Sequence, residues 1–124
     1  MLTTGVDIVT ISRVQRALER HGERFLNRVY TPSEIAWCRG RVPELAVRFA
    51  AKEAVSKALG TGMRLMSQDG IDFHDVEITV DELGKPLLAL CGRAEERAGE
   101  LGLTEWALSL SHERDVAVAF VVAQ

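Results

Sequence analysis

In the segment "FAAKEAVSKALGTG", residues 49–62, an apolar run is interrupted by Lys52, Glu53 and Lys57 and closed by Gly60 and Gly62. At about 100° per residue, Val47, Ala50, Ala51, Ala54, Val55 and Ala58 fall on one stripe of a helix. Glu53 and Lys57 lie one turn apart at its flank. Taken alone, they form an i,i+4 ion pair and the glycines end the helix. A chemical reading makes Glu53 a metal ligand and Lys57 a phosphate contact, with Gly60 and Gly62 allowing close backbone approach to a ligand. Asp7 is the second notable carboxylate, set between Val6 and Ile8 in "GVDIVTI". A charge in a buried strand is costly unless it has a structural partner or binds a cation. If Asp7 and Glu53 converge, they repel, and Mg²⁺, which is held by one or two carboxylates plus phosphate oxygens, relieves the repulsion.

Two further groups carry chemistry. In "SLSH", Ser109 and Ser111 share one strand face, Leu108 and Leu110 the other, and His112 stands at a hairpin mouth. These read either as a hydroxyl edge with a solvated turn or as ligand contacts; no nucleophile elbow accompanies them. Arg13, Arg16 and Arg20 are spaced three and four apart, so they share one helical face, which Arg24 would extend past a break at Gly22. Such a face is either simply solvated or shaped for a carboxylate- or phosphate-rich partner.

These side chains need a scaffold. "GVDIVTI" reads as a buried strand. Ser12 reads as an N-cap, with Gln15 completing a capping box, for a helix running to about Gly22. In "TPSE", Thr31 caps, Pro32 takes the first helical position and Glu34 closes the box of a short helix ending near Gly40. A third helix spans about Ala46 to Leu59. "DVEITV" alternates as a half-buried strand, "DELGKP" is a turn, "LLALC" a strand and "AEERAGEL" a short helix ending at Gly102. "EWALSLS" and "VAVAFVV", joined by the four residues "HERD", form a β-hairpin. The fold class is α+β: an N-terminal strand, helices packed on an antiparallel sheet, and a closing hairpin, in one domain over residues 1–124. Phe49 lies on the polar side of its helix beside Glu53. An exposed aromatic there wants a covering surface, so a homo-oligomer is expected.

The totals narrow the classes. The net charge is −3, with 47% hydrophobic and 27% charged residues. An acidic chain argues against general nucleic-acid binding, although the arginine-rich front leaves room for one acidic partner. No apolar run has the length of a membrane span, and no signal peptide is visible. Cys38 and Cys91 stand apart from any metal-ligand spacing, and reduced thiols and a cytoplasmic location are expected.

Taken in order, "GVDIVTISRV", "RFAAKEAVSKALGTG", "DVEI…GKP" and "SLSH" resemble the 4′-phosphopantetheinyl transferases of the holo-acyl-carrier-protein synthase type. The resemblance covers nearly the whole chain, and its central motif is the most specific part. It implies transfer of the phosphopantetheine arm of coenzyme A to a serine of an apo acyl carrier protein. It further implies a homotrimer with active sites between adjacent subunits. On the same basis Asp7 and Glu53 hold Mg²⁺ against the pyrophosphate, and Lys57 sits near the reacting phosphorus. Arg48 and His112 sit near the nucleotide phosphates, with Ser111, Gly60 and Gly62 completing the coenzyme A contacts. Arg13, Arg16, Arg20 and Arg24 face the acidic recognition helix of the carrier. The chain departs from the family pattern at Thr10, at Phe73 and in the length of "MRLMSQDGIDF". Two other readings keep the arginine face and Lys57 without catalysis: a module that docks an acidic helical protein, and a regulator that holds coenzyme A.

Overall fold

A computed structural model describes residues 1–64 and 68–124. The chain runs β1 (Thr3–Thr10), α1 (Ile11–His21), α2 (Glu23–Val29), α3 (Pro32–Cys38) and α4 (Val42–Leu59). A 3₁₀ turn (Phe73–Asp75) then leads to β2 (Val76–Val80), β3 (Pro86–Leu90), α5 (Gly92–Glu100), β4 (Trp106–Glu113) and β5 (Val116–Ala123). One antiparallel sheet has the order β1-β5-β4, and β2 pairs with β3 in a second. The α+β expectation holds, with the strands divided between two sheets.

Helix α4 lies across the inner face of the larger sheet, against β1 and β5. Small residues allow this contact. Ala50, Ala51, Ala54 and Ala58 of α4 meet Ala117, Ala119 and Val121 of β5 in the core. Gly5 of β1 sets the closest point: a Cβ there would stand 2.0 Å from the Ala54 carbonyl oxygen. Thr3 Oγ1 ties the same strand to the helix end by donating to the Ala58 carbonyl at 2.8 Å.

The far side of α4 is buried as well, and this explains Lys52. Its ammonium pairs with Glu34 of α3 at 2.8 Å, both side chains being fully buried. It also donates to the carbonyls of Phe73 (2.9 Å) and Val76 (2.6 Å). Glu34 closes the expected Thr31 capping box and accepts from the Ile78 N–H at 2.7 Å.

Several local expectations are corrected. The N-cap of α1 is Thr10, not Ser12. Ser12 lies inside the helix, where its N–H and hydroxyl both donate to the Asp115 carboxylate. The segment after Gly22 forms α2, because Gly22 takes a positive φ of 54° and restarts the helix. α4 starts at Val42, four residues before the expected start. The closing hairpin has a two-residue loop, Arg114–Asp115, since β4 continues through His112 and Glu113. Phe49 is not an exposed aromatic: it packs between Phe25 and Phe73, with ring centroids 6.5 and 5.5 Å away. β1 is buried on one face only, Val6 and Ile8 being 50% and 66% exposed. Of the long link after the glycines, residues 65–67 lie outside the described residues. Its flanks close on each other through Arg64 N–H to the Ile71 carbonyl (2.7 Å) and Ile71 N–H to the Gly62 carbonyl (3.0 Å).

Breaking the buried pair from one side strands a charge in the core. Lys52→Met or Glu34→Gln alone should lower unfolding stability by about 3–5 kcal/mol, and the double substitution should cost less than the two singles added. Urea denaturation measures this, and single losses below about 1 kcal/mol would show that the pair anchors nothing.

Candidate active site

Strand β1 alternates, so Asp7 points inward toward α4 while Val6 and Ile8 point out. Lys57 Nζ lies 2.8 Å from Asp7 Oδ1 and donates to the Val6 carbonyl at 3.0 Å. The expected Glu53–Lys57 pair is therefore replaced by a pair between helix and strand. Strand geometry brings Asp7 over the Glu53–Lys57 edge of α4, and Gly5 lets the two elements close.

Glu53 is left half-buried, and its carboxylate has no hydrogen bond or ion pair among the described residues. Burial pushes its carboxyl pKa up, the nearby Asp7 pushes it further, and Lys57 opposes both. A carboxylate in this state is short of positive charge. No cluster of three or more metal-ligating side chains occurs among the described residues. Two carboxylates and no softer donor would suit a hard divalent cation, which would have to take its other oxygens from phosphate or water. α4 ends directly below. Gly60 and Gly62 hold positive φ values of 72° and 68°, and the space beside each α-carbon is open. Both positions favour glycine, and the backbone there is bare to an incoming ligand.

Arg48 and His112 stand apart from this cluster. Arg48 and Glu53 differ by about 140° around α4 and about 7.5 Å along it. A groove of about 430 Å³ has Arg48, His112, Lys85, Trp37 and Glu44 in its walls. Arg48 Nη1 donates to Glu44 Oε2 at 2.9 Å, and His112 Nε2 lies 3.8 Å from Glu44 Oε1. Lys85, Trp37 and Glu44 escaped the sequence reading. Lys85 follows Gly84 in the "DELGKP" turn, and only the fold brings it to Arg48. Ser111 points the other way, pairing with Val118 on the outer sheet face. His112 therefore lies in a strand, not at a hairpin mouth, and does not share a face with Ser111.

The arginines occupy a third surface. Arg13, Arg16 and Arg20 are exposed and line one depression on α1 with Ala17 and His21. Arg24 lies beyond the Gly22 break, in a second depression with His21, Phe25 and Arg28. None of these arginines is paired with an acid among the described residues.

Residues 3–121 match the family model for the 4′-phosphopantetheinyl transferase superfamily. The chain belongs to that superfamily. It is 47% identical to a holo-[acyl-carrier-protein] synthase of Herpetosiphon aurantiacus, over 98% of each chain. It is 52% identical to the one of Halorhodospira halophila, over 95% of this chain and 93% of that protein. Among solved structures, the Helicobacter pylori holo-[acyl-carrier-protein] synthase in complex with coenzyme A superimposes with a TM-score of 0.86. That protein is 33% identical, and the match covers 98% of this chain and 99% of the other. The Asp7–Glu53 cluster, the Arg48 groove and the arginine face are thus three surfaces of a phosphopantetheinyl transferase fold. No helix among the described residues is long and apolar enough to cross a membrane.

The electrostatics of Glu53 have a sign that can be measured. Its folded-state pKa is raised, so the folded protein holds a proton that the unfolded chain has already released. Metal-free stability should fall as pH rises from the ordinary glutamate value through the raised one, and stay lower above it. Glu53→Gln should remove this fall. In EDTA the variant should melt higher than wild type at about pH 7 and match it near pH 4. An equal difference at both pH values would refute the assignment.

Proposed function

We propose that the chain moves the 4′-phosphopantetheine arm of coenzyme A onto a serine hydroxyl of an apo acyl carrier protein, releasing adenosine 3′,5′-bisphosphate. The observation that carries this reading is Asp7, Glu53 and Lys57 held together by β1 and α4 in a chain of this family. The serine oxygen bonds to the pantetheine-side phosphorus, the bond from that phosphorus to the bridging oxygen breaks, and the serine proton is lost. Such transfers need positioning and charge neutralisation more than covalent help from the protein. Asp7 and Glu53 are the residues that would hold Mg²⁺, which supplies positive charge against the pyrophosphate when bound. Lys57 is half exposed, so its ammonium can leave Asp7 and meet charge developing on the leaving phosphate. Gly60 and Gly62 present open backbone beside it. Arg48 and His112 bind the nucleotide phosphates, and Ser111 contacts coenzyme A from the outer sheet face. A binding module without catalysis would need the arginines and Lys57 alone. It leaves the costly approach of Asp7 to Glu53 unexplained.

The active form in this reading is a homotrimer with sites between subunits. The number three rests on the family resemblance, and two features support assembly as such. The residues read as coenzyme A contacts lie in separate places on one chain. The outer sheet face also leaves Val6, Ile8 and Phe120 exposed (50%, 66% and 41%), with Val6 directly opposite Phe120. That patch, not Phe49, supplies the apolar surface to be covered. A fully active monomer in light scattering at assay concentration would overturn the assembly. Residues 1–124 act as a single domain in this scheme. The location is cytoplasmic, which suits two unpaired cysteines and would be contradicted by export in a fractionation experiment.

Incubation of an apo carrier with the protein, coenzyme A and Mg²⁺ should add one phosphopantetheine mass to the carrier. Asp7→Asn and Glu53→Gln should each cut the rate on the order of 10²–10³-fold while the protein stays folded. Excess EDTA should do the same. Near-normal turnover under either condition would end the metal assignment, and no mass gain with wild type would end the transferase reading.

The arginine face predicts a different kinetic signature. Exposed charges of this kind steer encounter and are screened beyond a Debye length of about 8 Å at physiological salt. Arg13→Glu or Arg20→Glu should raise the carrier KM about tenfold or more and leave the coenzyme A KM nearly unchanged. The double reversal should lose most of the wild-type salt dependence. If coenzyme A binding weakens instead, the carrier docks elsewhere.

A further inference from the structure

The groove of Arg48, Lys85 and His112 contains one acid, Glu44, and an acid in a cationic groove repels the anions the groove would hold. We propose that Glu44 is a positioning residue that aims Arg48 and His112 at the nucleotide phosphates of coenzyme A; this rests on the transferase reading above. Glu44 lies in the first turn of α4, where the helix N-terminus favours a carboxylate. Its two oxygens have separate tasks. Oε2 accepts from Arg48 Nη1 at 2.9 Å, and Oε1 faces His112 Nε2 at 3.8 Å. The Glu44 carbonyl accepts from the same Nη1 at 3.1 Å. Arg48 is thus gripped at one nitrogen from two sides.

Burial makes that grip necessary. Arg48 is only 2% exposed, and Glu44 is its one ion-pair partner among the described residues. A buried guanidinium without its counter-charge would turn toward water. The grip is also incomplete, because the buried Arg48 Nε donates no hydrogen bond among the described residues. Glu44 therefore fixes the guanidinium by one edge and leaves donor capacity unspent. The opposite role, a competitor that occupies Arg48 until phosphate displaces it, would need Glu44 to shield those donors, and its contact is confined to Nη1.

Calorimetry with adenosine 3′,5′-bisphosphate, alongside transfer kinetics, separates these roles. Glu44→Ala should weaken binding about tenfold and raise the coenzyme A KM equally, with kcat little changed. In an Arg48→Met background the same substitution should cost only the smaller part that passes through His112, since Glu44 acts mainly through Arg48. Glu44→Gln keeps an acceptor for Arg48 and should recover part of the loss. Unchanged or tighter binding in Glu44→Ala overturns the proposal, as does a full additional loss in the double variant. If Glu44→Ala does not fold, Glu44→Gln decides: weaker binding supports the proposal, and wild-type binding overturns it. A wild type that transfers normally while Glu44 variants behave like it sinks only this inference. A wild type that neither binds the bisphosphate nor transfers sinks the transferase reading.

Discussion

The buried ion pair between Lys52 and Glu34 is the constraint on which the arrangement depends. Two charges withdrawn from water are expensive, and their attraction compensates only when every remaining donor and acceptor is answered. Here they are. The three protons of the Lys52 ammonium have Glu34, the Phe73 carbonyl and the Val76 carbonyl as acceptors. Glu34 in turn accepts from the Thr31 and Ile78 N–H groups. Helix α4, the start of α3, the 3₁₀ turn and β2 are therefore joined at one point with directional bonds. Apolar contacts alone would let a helix roll on its neighbours. A satisfied buried ion pair does not, so the rotation of α4 about its axis is set.

That rotation decides what the next residues face. Glu53 follows Lys52 by about 100° and so emerges at the seam between α4 and β1. Lys57 lies one turn further along the same edge. On the sheet side, Gly5 lets the strand approach until Asp7 reaches Lys57. The two anchors thus act from opposite sides of one helix, and the Asp7–Glu53–Lys57 cluster is the edge trapped between them. The cost of that placement is visible in the raised pKa of Glu53, which burial and Asp7 both drive. Within the proposed function, a cation bound between Asp7 and Glu53 would offset that cost.

Much of this was legible in the sequence, for identifiable reasons. The Thr31-Pro32-Glu34 cap, the alternating strand from Val76 and the alanine stripe of α4 are local patterns with strong geometric signatures, and all three appear as read. Asp7, Glu53 and Lys57 were found because each breaks an apolar pattern. Lys52 broke the same pattern, but its partner is Glu34, whose sequence signal was already taken by the capping box. A residue with two tasks shows only the local one. Ser12 failed for the converse reason: its cap-like spacing was real, but Asp115, across the chain, holds the hydroxyl. Phe49 reads as exposed because a helical wheel marks the polar side of a helix, not what packs over it, and Phe25 and Phe73 cover that side. The Arg48 groove needed Lys85, from a segment that no spacing connects, and Glu44, which stands four residues before Arg48 but ahead of the expected start of the helix.

The division of the site into separate surfaces follows from the same geometry and bears on the proposed assembly. Arg48 and Glu53 leave α4 on different sides, and a rigid helix cannot turn both toward one ligand. A second copy can supply the missing side. β1 is the strand through which such a copy would be felt, because its alternation assigns Asp7 inward and Val6 and Ile8 outward. Phe120, Val118 and Ser111 extend the same outer face across β5 and β4. Covering that face would remove from water the apolar residues that flank Asp7 in sequence, and it would lower the dielectric behind the carboxylate cluster. Assembly and charge placement would then reinforce each other, since a drier Asp7–Glu53 pair has a stronger demand for a cation.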